Sequence, residues 1–318
     1  MALLKSTLFT GNSILVLGGG LGVDDWAFSK SFRQVVSVDP DESLNEIARY
    51  NFDRLHCTNV ERLTTTAEDF LKTRSGTFDL IYSDPDRRTG NSRQILLRQH
   101  QPDMVALLPA LHTLSQRVLI KCSPLYDHEM SKNEISSITD IYIISSKGEV
   151  KEMLLLARHG EEGQDYRIHC FEIDRENHHL SHTFSSQNIQ TPETAAELTG
   201  YFFEVNAGIY KVRKHNEYAA EKGLRMVDRN VPFYCSDNIP GDFMGRTMLI
   251  RQVMPFHVKE NRRYLQETGI AKANVKVRGL KFRTEDVLHK LEIGEGGEDY
   301  LFVFPFKGKA TLLHAIRN

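Results

Sequence analysis

At 318 residues, 40% of them hydrophobic and 26% charged, the chain has ordinary globular composition and a length that leans towards two domains. A formal net charge of -2 leaves no global basic excess, so affinity for a nucleic acid has to come from a local patch. Cys57, Cys122, Cys170 and Cys235 lie far apart and form no C-x-x-C pair, which argues against a disulfide framework or a zinc ribbon and for a reducing, cytoplasmic setting.

Thr7, Thr10, Gly11, Asn12 and Ser13 break up the N-terminal apolar residues, so no signal peptide is expected, and no run of about 18 apolar residues suggests a membrane span. The chain then alternates short apolar runs with amphipathic stretches. Ile14 to Leu17, Val35 to Val38, Phe78 to Tyr82 and Val118 to Lys121 read as strands covered on both faces. Val23 to Phe32, Glu42 to Phe52, Ala67 to Thr73 and Asp103 to Leu114 read as helices between them. That alternation predicts a doubly wound α/β domain with a mostly parallel sheet. Ile141 to Ile144 and Met153 to Ala157 leave no room for a crossover helix, so these two strands form an antiparallel hairpin. Tyr166 to Ile173 reads as an extra strand and Ser181 to Thr191 as a connector. The predicted organisation is a domain over 1–160, a connector with the extra strand over 161–195, and an α+β domain over 196–318. In the last, Ala207 to Lys222, Lys259 to Thr268 and Thr284 to Leu291 read as helices; Thr247 to Val253, Asn274 to Arg278, Tyr300 to Phe306 and Ala310 to Ala315 read as strands.

Three features fall at the carboxyl edge of the predicted sheet, where ligands of open α/β sheets sit. The turn VLGGGLGVDD places Gly18, Gly20 and Gly22 between the first strand and a helix, where missing Cβ atoms let a ligand approach the main chain. The dinucleotide fingerprint G-x-G-x-x-G is not matched, because Val23 stands where it would close. Asp39 ends the second strand about 20 residues downstream, the position from which a carboxylate can bind both ribose hydroxyls; Asp41 or Ser43 can cap the helix that follows. IYSDPDRRTG follows the fourth strand and brings Asp84, Pro85, Asp86, Arg87 and Arg88 to the same edge. Its D-P-D spacing is also that of a carboxylate metal pair, but Asp39-Pro40-Asp41 repeats the tripeptide where a cap and a ribose contact explain it, so no metal is expected. His178, His179 and His182 have no metal-ligand spacing and read as solvated.

Together the glycine turn, the acid after the second strand, the D-P loop and the terminal hairpin resemble the class I S-adenosyl-L-methionine-dependent methyltransferases over roughly Ser13 to Arg158. More closely, the chain is similar to a bacterial family in which such a domain precedes a small THUMP-like domain. The matching segments are Gly19-Gly20-Leu21-Gly22-Val23-Asp24, Asp84-Pro85-Asp86-Arg87-Arg88, Ile120-Lys121-Cys122-Ser123-Pro124 and Gly148-Glu149-Val150-Lys151-Glu152. Further along, Ile239-Pro240-Gly241, 273–278 and 296–302 look like the THUMP-like part.

The resemblance implies a Rossmann-like α/β methyltransferase sheet, mostly parallel with a terminal antiparallel hairpin, followed by an α+β THUMP-like, ferredoxin-like domain. It implies S-adenosyl-L-methionine held by Gly18, Gly20, Gly22, Asp24, Asp39, Thr66 and Ala67. Asp84, Pro85 and Arg87 would hold the methyl acceptor, with Arg88, Lys121 and Ser123 beside it. In the exocyclic-amine methyltransferases a D/N-P-P-aromatic loop does this; here Asp86 and Arg87 replace its second half, so Arg87 stacks on a base, clamps a phosphate with Arg88, or pairs with Asp86 in a solvated loop. The chain departs from the family at Val16, where an acid is usual, at Thr66, where an aspartate is common, and in starting almost directly with the first strand.

Between Arg246 and Lys290, basic residues outnumber acidic ones and Phe256, Tyr264 and Phe282 are interleaved, the pattern of an RNA-facing surface and equally of half-buried strands with a wet face. Methyl transfer to RNA, with a base exocyclic amine as acceptor, is the expectation. The alternative is a non-catalytic module that keeps the fold and binds RNA or another partner.

Overall fold

The computed structural model describes residues 1–73, 76–85, 88–89, 92–93, 96–163, 165–174, 178–187 and 190–318, with the backbone alone for 88, 89, 92 and 93. The chain divides into two units, Met1–Gln187 and Asn188–Asn318.

In the first unit the elements run α1 (Ala2–Leu8), β1 (Gly11–Leu17), α2 (Val23–Phe28), β2 (Phe32–Asp39), α3 (Glu42–Arg54), β3 (Val60–Thr64), α4 (Ala67–Thr73) and β4 (Leu80–Ser83). A two-residue ladder, β5 (Arg88–Thr89) with β6 (Ser92–Arg93), precedes α5 (Met104–Leu114), β7 (Arg117–Cys122), the single turn α6 (Ser131–Glu134), β8 (Ile138–Ser146), β9 (Glu149–Arg158), β10 (Arg167–Ile173) and β11 (His179–Ser185). One sheet carries the unit, in the order β11-β10-β8-β9-β7-β4-β1-β2-β3. Its centre is parallel, β3 to β2 to β1 to β4 to β7, and β9 then runs antiparallel between β7 and β8. Ile14 to Leu17, Leu80 to Tyr82 and Val118 to Ile120 are completely buried, which is why these strands read as continuous apolar runs rather than alternating ones. Lys147 and Gly148, both with positive φ, close the predicted hairpin between β8 and β9.

Two stretches differ from their sequence reading. A helix precedes β1: α1 buries Leu4, and Phe9 after it, in the core, while Lys5 reaches carboxylates inside the unit. The segment 161–187 gives two strands, not one, with β10 parallel to β8 and β11 antiparallel to β10. Phe184 is the one fully buried residue of β11, so this edge strand left almost no apolar pattern to read.

The second unit contains β12 (Tyr201–Val205), α7 (Ala207–Lys211), α8 (His215–Glu221), β13 (Arg225–Asp228), β14 (Val231–Ser236), β15 (Gly245–Pro255), α9 (Val258–Glu267), β16 (Lys272–Val277), α10 (Thr284–Leu291), β17 (Gly294–Phe306) and β18 (Lys309–Arg317). They form a sheet in the order β13-β14-β12-β15-β18-β17-β16, antiparallel except for β16 on β17. Phe202, Phe233, Phe302 and Phe304 cluster in one apolar core; Leu265, Val287 and Leu291 of α9 and α10 pack on Val275, Leu301 and Leu312 in another. The single helix expected over Ala207 to Lys222 is two helices, because Arg213 takes a left-handed φ of 58° between them. Among the described residues, no helix is long and apolar enough to cross a membrane.

Candidate functional site

The parallel centre of the first sheet brings the carboxyl ends of β1, β4 and β7 together, and a cavity of about 300 Å³ opens there. Val16, Gly18, Gly19, Gly20, Asp24, Tyr82, Asp84, Lys121 and Glu152 line it, with Met1 and the first residue of α1, Ala2. The glycine turn is its floor. Gly18 N–H donates to Val38 O at 2.9 Å and Gly20 N–H to Asp39 Oδ2 at 2.8 Å, so main chain from β1 is tied to the end of β2. A Cβ at Gly22 would stand 2.5 Å from the Phe52 ring, whereas a Cβ at Gly20 would meet no protein atom within 4 Å. Gly22 is therefore needed for packing and Gly20 leaves open space beside the main chain.

Arg62, a charged residue in the middle of β3, braces this turn from within the unit. Its Nη2 donates to Gly20 O at 2.6 Å, Nη1 to Asp25 Oδ2 and to Ser37 Oγ at 3.0 Å, and Nε to Asn45 Oδ1 at 2.6 Å. Asp25 is completely buried; burial outweighs the guanidinium and pushes its carboxyl up to about 6.

The opposite wall is a chain of alternating charges. Lys5 Nζ, whose side chain is 1% exposed, lies 2.8 Å from Asp24, 3.1 Å from Glu152 and 3.2 Å from the Tyr82 hydroxyl. Tyr82 in turn donates to Asp24 Oδ2 at 2.6 Å. Lys121 Nζ donates to Asp84 Oδ2 at 2.7 Å and stands 3.7 Å from Glu152 Oε1. Burial alone would raise the Asp24 carboxyl, but Lys5, Tyr82 and Lys121 hold it below its ordinary value. Burial likewise opposes charge on Lys121, yet Asp84 and Glu152 raise its ammonium above the ordinary value, making it a fixed cation and not a base. Burial, Asp24 and Asp84 keep Tyr82 a neutral phenol.

Of the residues expected at the site, Gly18, Gly20, Asp24, Asp84 and Lys121 share this cavity. Asp39 lies behind the turn: Oδ2 accepts from Gly20 and Oδ1 accepts from Asp41 N–H at 3.0 Å, while Asp41 itself caps α3. Gly22, Thr66, Ala67, Pro85 and Ser123 do not line the cavity. Thr66 Oγ1 accepts from Asp69 N–H at the start of α4, beside the buried Ala67, and Ser123 Oγ accepts from Leu125 N–H. Arg87 lies outside the described residues, as does the side chain of Arg88, whose backbone belongs to β5. Lys5, Arg62, Tyr82 and Glu152 were given no role from sequence; a lysine inside an apolar turn (Leu3-Leu4-Lys5) and an arginine inside a strand were the available signals. Among the described residues, no group of three or more His, Cys, Asp or Glu side chains is placed to hold a metal ion.

Residues 245–317 match the family described as THUMP domain-like. No curated protein sequence matches the chain. A solved structure from Porphyromonas gingivalis W83, provisionally described as a methyltransferase, is similar over 99% of this chain and 80% of its own, with a TM-score of 0.86 and 22% identity. A Geobacter sulfurreducens methyltransferase covers 49% of this chain and 76% of its own, with a TM-score of 0.37 and 18% identity. Magnesium protoporphyrin IX methyltransferase from Synechocystis PCC 6803, solved with SAM, covers 49% and 74%, with a TM-score of 0.36 and 15% identity. The fold is thus the Rossmann-like α/β fold of class I methyltransferases. A THUMP-like domain follows it at the C-terminus.

Proposed function

We propose that the protein is an S-adenosyl-L-methionine-dependent methyltransferase acting on RNA, with an amino nitrogen of a base as acceptor. The observation that carries this is the convergence of the open main chain at Gly20 with Asp84 and Lys121 in one cavity at the carboxyl ends of β1, β4 and β7. The donor set fits the cofactor: Gly20 leaves room along the main chain, Asp24 and Glu152 offer carboxylates to its cationic end, and Asp39, behind the turn, holds the Gly20 N–H in place. When bound, that cofactor supplies a methyl group on a positively charged sulfur, an activated electrophile that needs alignment more than acid–base assistance.

Asp84 is suited to accept an N–H from the acceptor amine, leaving the nitrogen lone pair free for the methyl carbon. Lys121 at 2.7 Å fixes one oxygen of that carboxylate, so the other is the one offered to the acceptor. Once nitrogen carries the extra bond it loses a proton to water.

The THUMP-like match and the residues of 246–290 support RNA as the substrate class. Arg251, Lys259, Lys272, Arg278, Lys281 and Lys290 are exposed, whereas Lys276 is engaged by Glu204, Arg262 by Glu292, and Arg283 by Asp286. Calorimetry with S-adenosyl-L-methionine tests the first half of the proposal: Asp39→Ala should weaken binding severely, and Asp84→Ala should spare binding but abolish turnover. Absence of binding at millimolar ligand rejects the enzyme reading in favour of a non-catalytic module. Mass spectrometry of nucleosides from cells with and without the protein tests the second half; an unchanged profile rejects RNA.

A further inference from the structure

A second group of charged side chains lies at the other end of β7, four residues before Lys121 and so roughly 13 Å from it along the strand. Arg117 opens β7 and stands directly opposite Arg158, the last residue of β9. Arg167 opens β10 and stands opposite Asp140 of β8. Residues opposite each other on paired strands project from one face, and like charges so placed work against the pairing. Three guanidinium groups are thus gathered around Tyr142 at this edge of the sheet, two of them facing each other.

The protein supplies acceptors for only some of their donors. Buried Asp140 has Arg167 Nη2 at 2.9 Å and His169 Nε2 at 2.8 Å on Oδ1. Its Oδ2 accepts from Thr139 Oγ1 at 2.9 Å, while Arg158 Nε stands 3.7 Å away and donates to Thr139 Oγ1 instead, at 3.1 Å. Arg117 gives its Nε to Asp79 O at 2.9 Å, and the Asp79 carboxylate is turned to the main-chain N–H groups of Asn12 and Ser13. Of the acids between β9 and β10, Glu161 pairs with neither arginine, Glu162 acts on His112 and Asp165 on Lys132. Among the described residues, no acceptor meets the Nη groups of Arg117 or Arg158.

Tyr142 adds a fixed donor beside them. Its ring is held between the edge of Phe9, at 5.3 Å, and the face of His169, stacked at 4.8 Å. That imidazole is itself held at both nitrogens, by Asp140 and by Thr183 Oγ1 at 2.9 Å. Burial and Asp140 keep the phenol protonated, pushed up to about 12 against the pull of Arg158, Arg167 and Arg117. Among the described residues its hydroxyl has no hydrogen-bond partner. We propose that this end of the sheet is a phosphate site, in which the Nη groups of Arg117 and Arg158 and the Tyr142 hydroxyl take the oxygens of one phosphate group, with Arg167 beside it. A tetrahedral phosphate presents three oxygens to donors on different strands, which a planar carboxylate does not, and guanidinium forks match its edges. A free phosphate compound and a polynucleotide backbone offer the same oxygens. The site shares no residue with the cofactor cavity, so either can fail alone.

Calorimetry on the full chain at fixed ionic strength tests this with two probes, sodium pyrophosphate for free phosphate and a single-stranded RNA oligonucleotide for the backbone. Arg117→Gln and Arg158→Gln should each weaken the probe that occupies the site about tenfold or more, and Tyr142→Phe about threefold. Arg117→Lys keeps the charge and loses the planar fork, so it too should weaken binding, a result that long-range attraction to a basic surface does not produce. Loss of pyrophosphate affinity in these variants assigns the site to free phosphate; loss of RNA affinity alone assigns it to a phosphodiester. Failure of the wild type to bind either probe, or arginine variants that bind both as the wild type does, overturns the inference and leaves the cofactor reading intact. If the glutamine variants do not fold, Arg117→Lys and Arg158→Lys decide the matter.

Discussion

Arg62 and Asp25 are a buried pair with a pH signature. A carboxyl raised to about 6 in the folded chain from an ordinary 3.8 binds more protons folded than unfolded between those values. Its stabilising contribution is therefore fully present below the unfolded value and is lost as pH rises through the folded one. That rise corresponds to about 3 kcal/mol, so the difference in unfolding free energy between wild type and Asp25→Asn should change by that order across pH 4 to 7. Denaturant titrations at several pH values check it; parallel pH curves reject it. The glycine turn gives a second contrast at this scale. Gly22→Ala meets the Phe52 ring as well as a left-handed backbone and should cost about 2–5 kcal/mol of stability. Gly20→Ala meets only the backbone penalty of about 1–2 kcal/mol, yet places a methyl beside the cavity. Melting and calorimetry on the two variants should show Gly22→Ala losing mainly stability and Gly20→Ala losing mainly ligand affinity.

At the scale of elements, α1 is docked by one buried ammonium. Lys5 joins it to α2 through Asp24, to β4 through Tyr82 and to β9 through Glu152. Lys5→Met would leave two partly buried carboxylates without their shared cation, a change worth about 3 kcal/mol. Denaturation should show that loss, and hydrogen exchange should show amides 4–9 becoming less protected; unchanged protection would mean that Leu4 and Phe9 dock the helix by themselves. This element also shows what the sequence could and could not convey. The central strands were legible because burial on both faces makes their whole length apolar, and the hairpin because its two-residue turn leaves no space for a helix. The helix before β1 was not, because seven residues with one turn of apolar pattern fall below what periodicity resolves, and Lys5 looks polar until its three partners are known. β11 was missed for a related reason, since one covered residue sets no period. In the cavity, Asp84 and Lys121 carried recognisable local motifs. Arg62 and Glu152 acquire roles only through contacts 37 and 147 residues away along the chain, with Asp25 and Lys5, which no local motif encodes.

For the whole molecule, the two units have separate apolar cores: Ile14, Val16, Tyr82 and Leu119 belong to the first, and Phe202, Phe302, Val287 and Leu301 to the second. Cooperativity of unfolding follows shared burial, so scanning calorimetry should resolve two transitions rather than one. The proposed cofactor cavity draws its lining wholly from Met1–Gln187, whereas the THUMP-like match falls wholly within Asn188–Asn318. A ligand that binds only the folded state at a hundred times its Kd stabilises that state by about 2.7 kcal/mol, which moves the melting of a unit of this size by roughly 5–10 °C. S-adenosyl-L-methionine should therefore raise one transition and leave the other in place. If RNA engages the second unit, it should shift the complementary transition, and by less as salt rises, because phosphate contacts by lysine and arginine weaken with ionic strength. A single transition moved by either ligand would mean that the two units fold and bind as one, and would place cofactor and RNA in direct thermodynamic linkage.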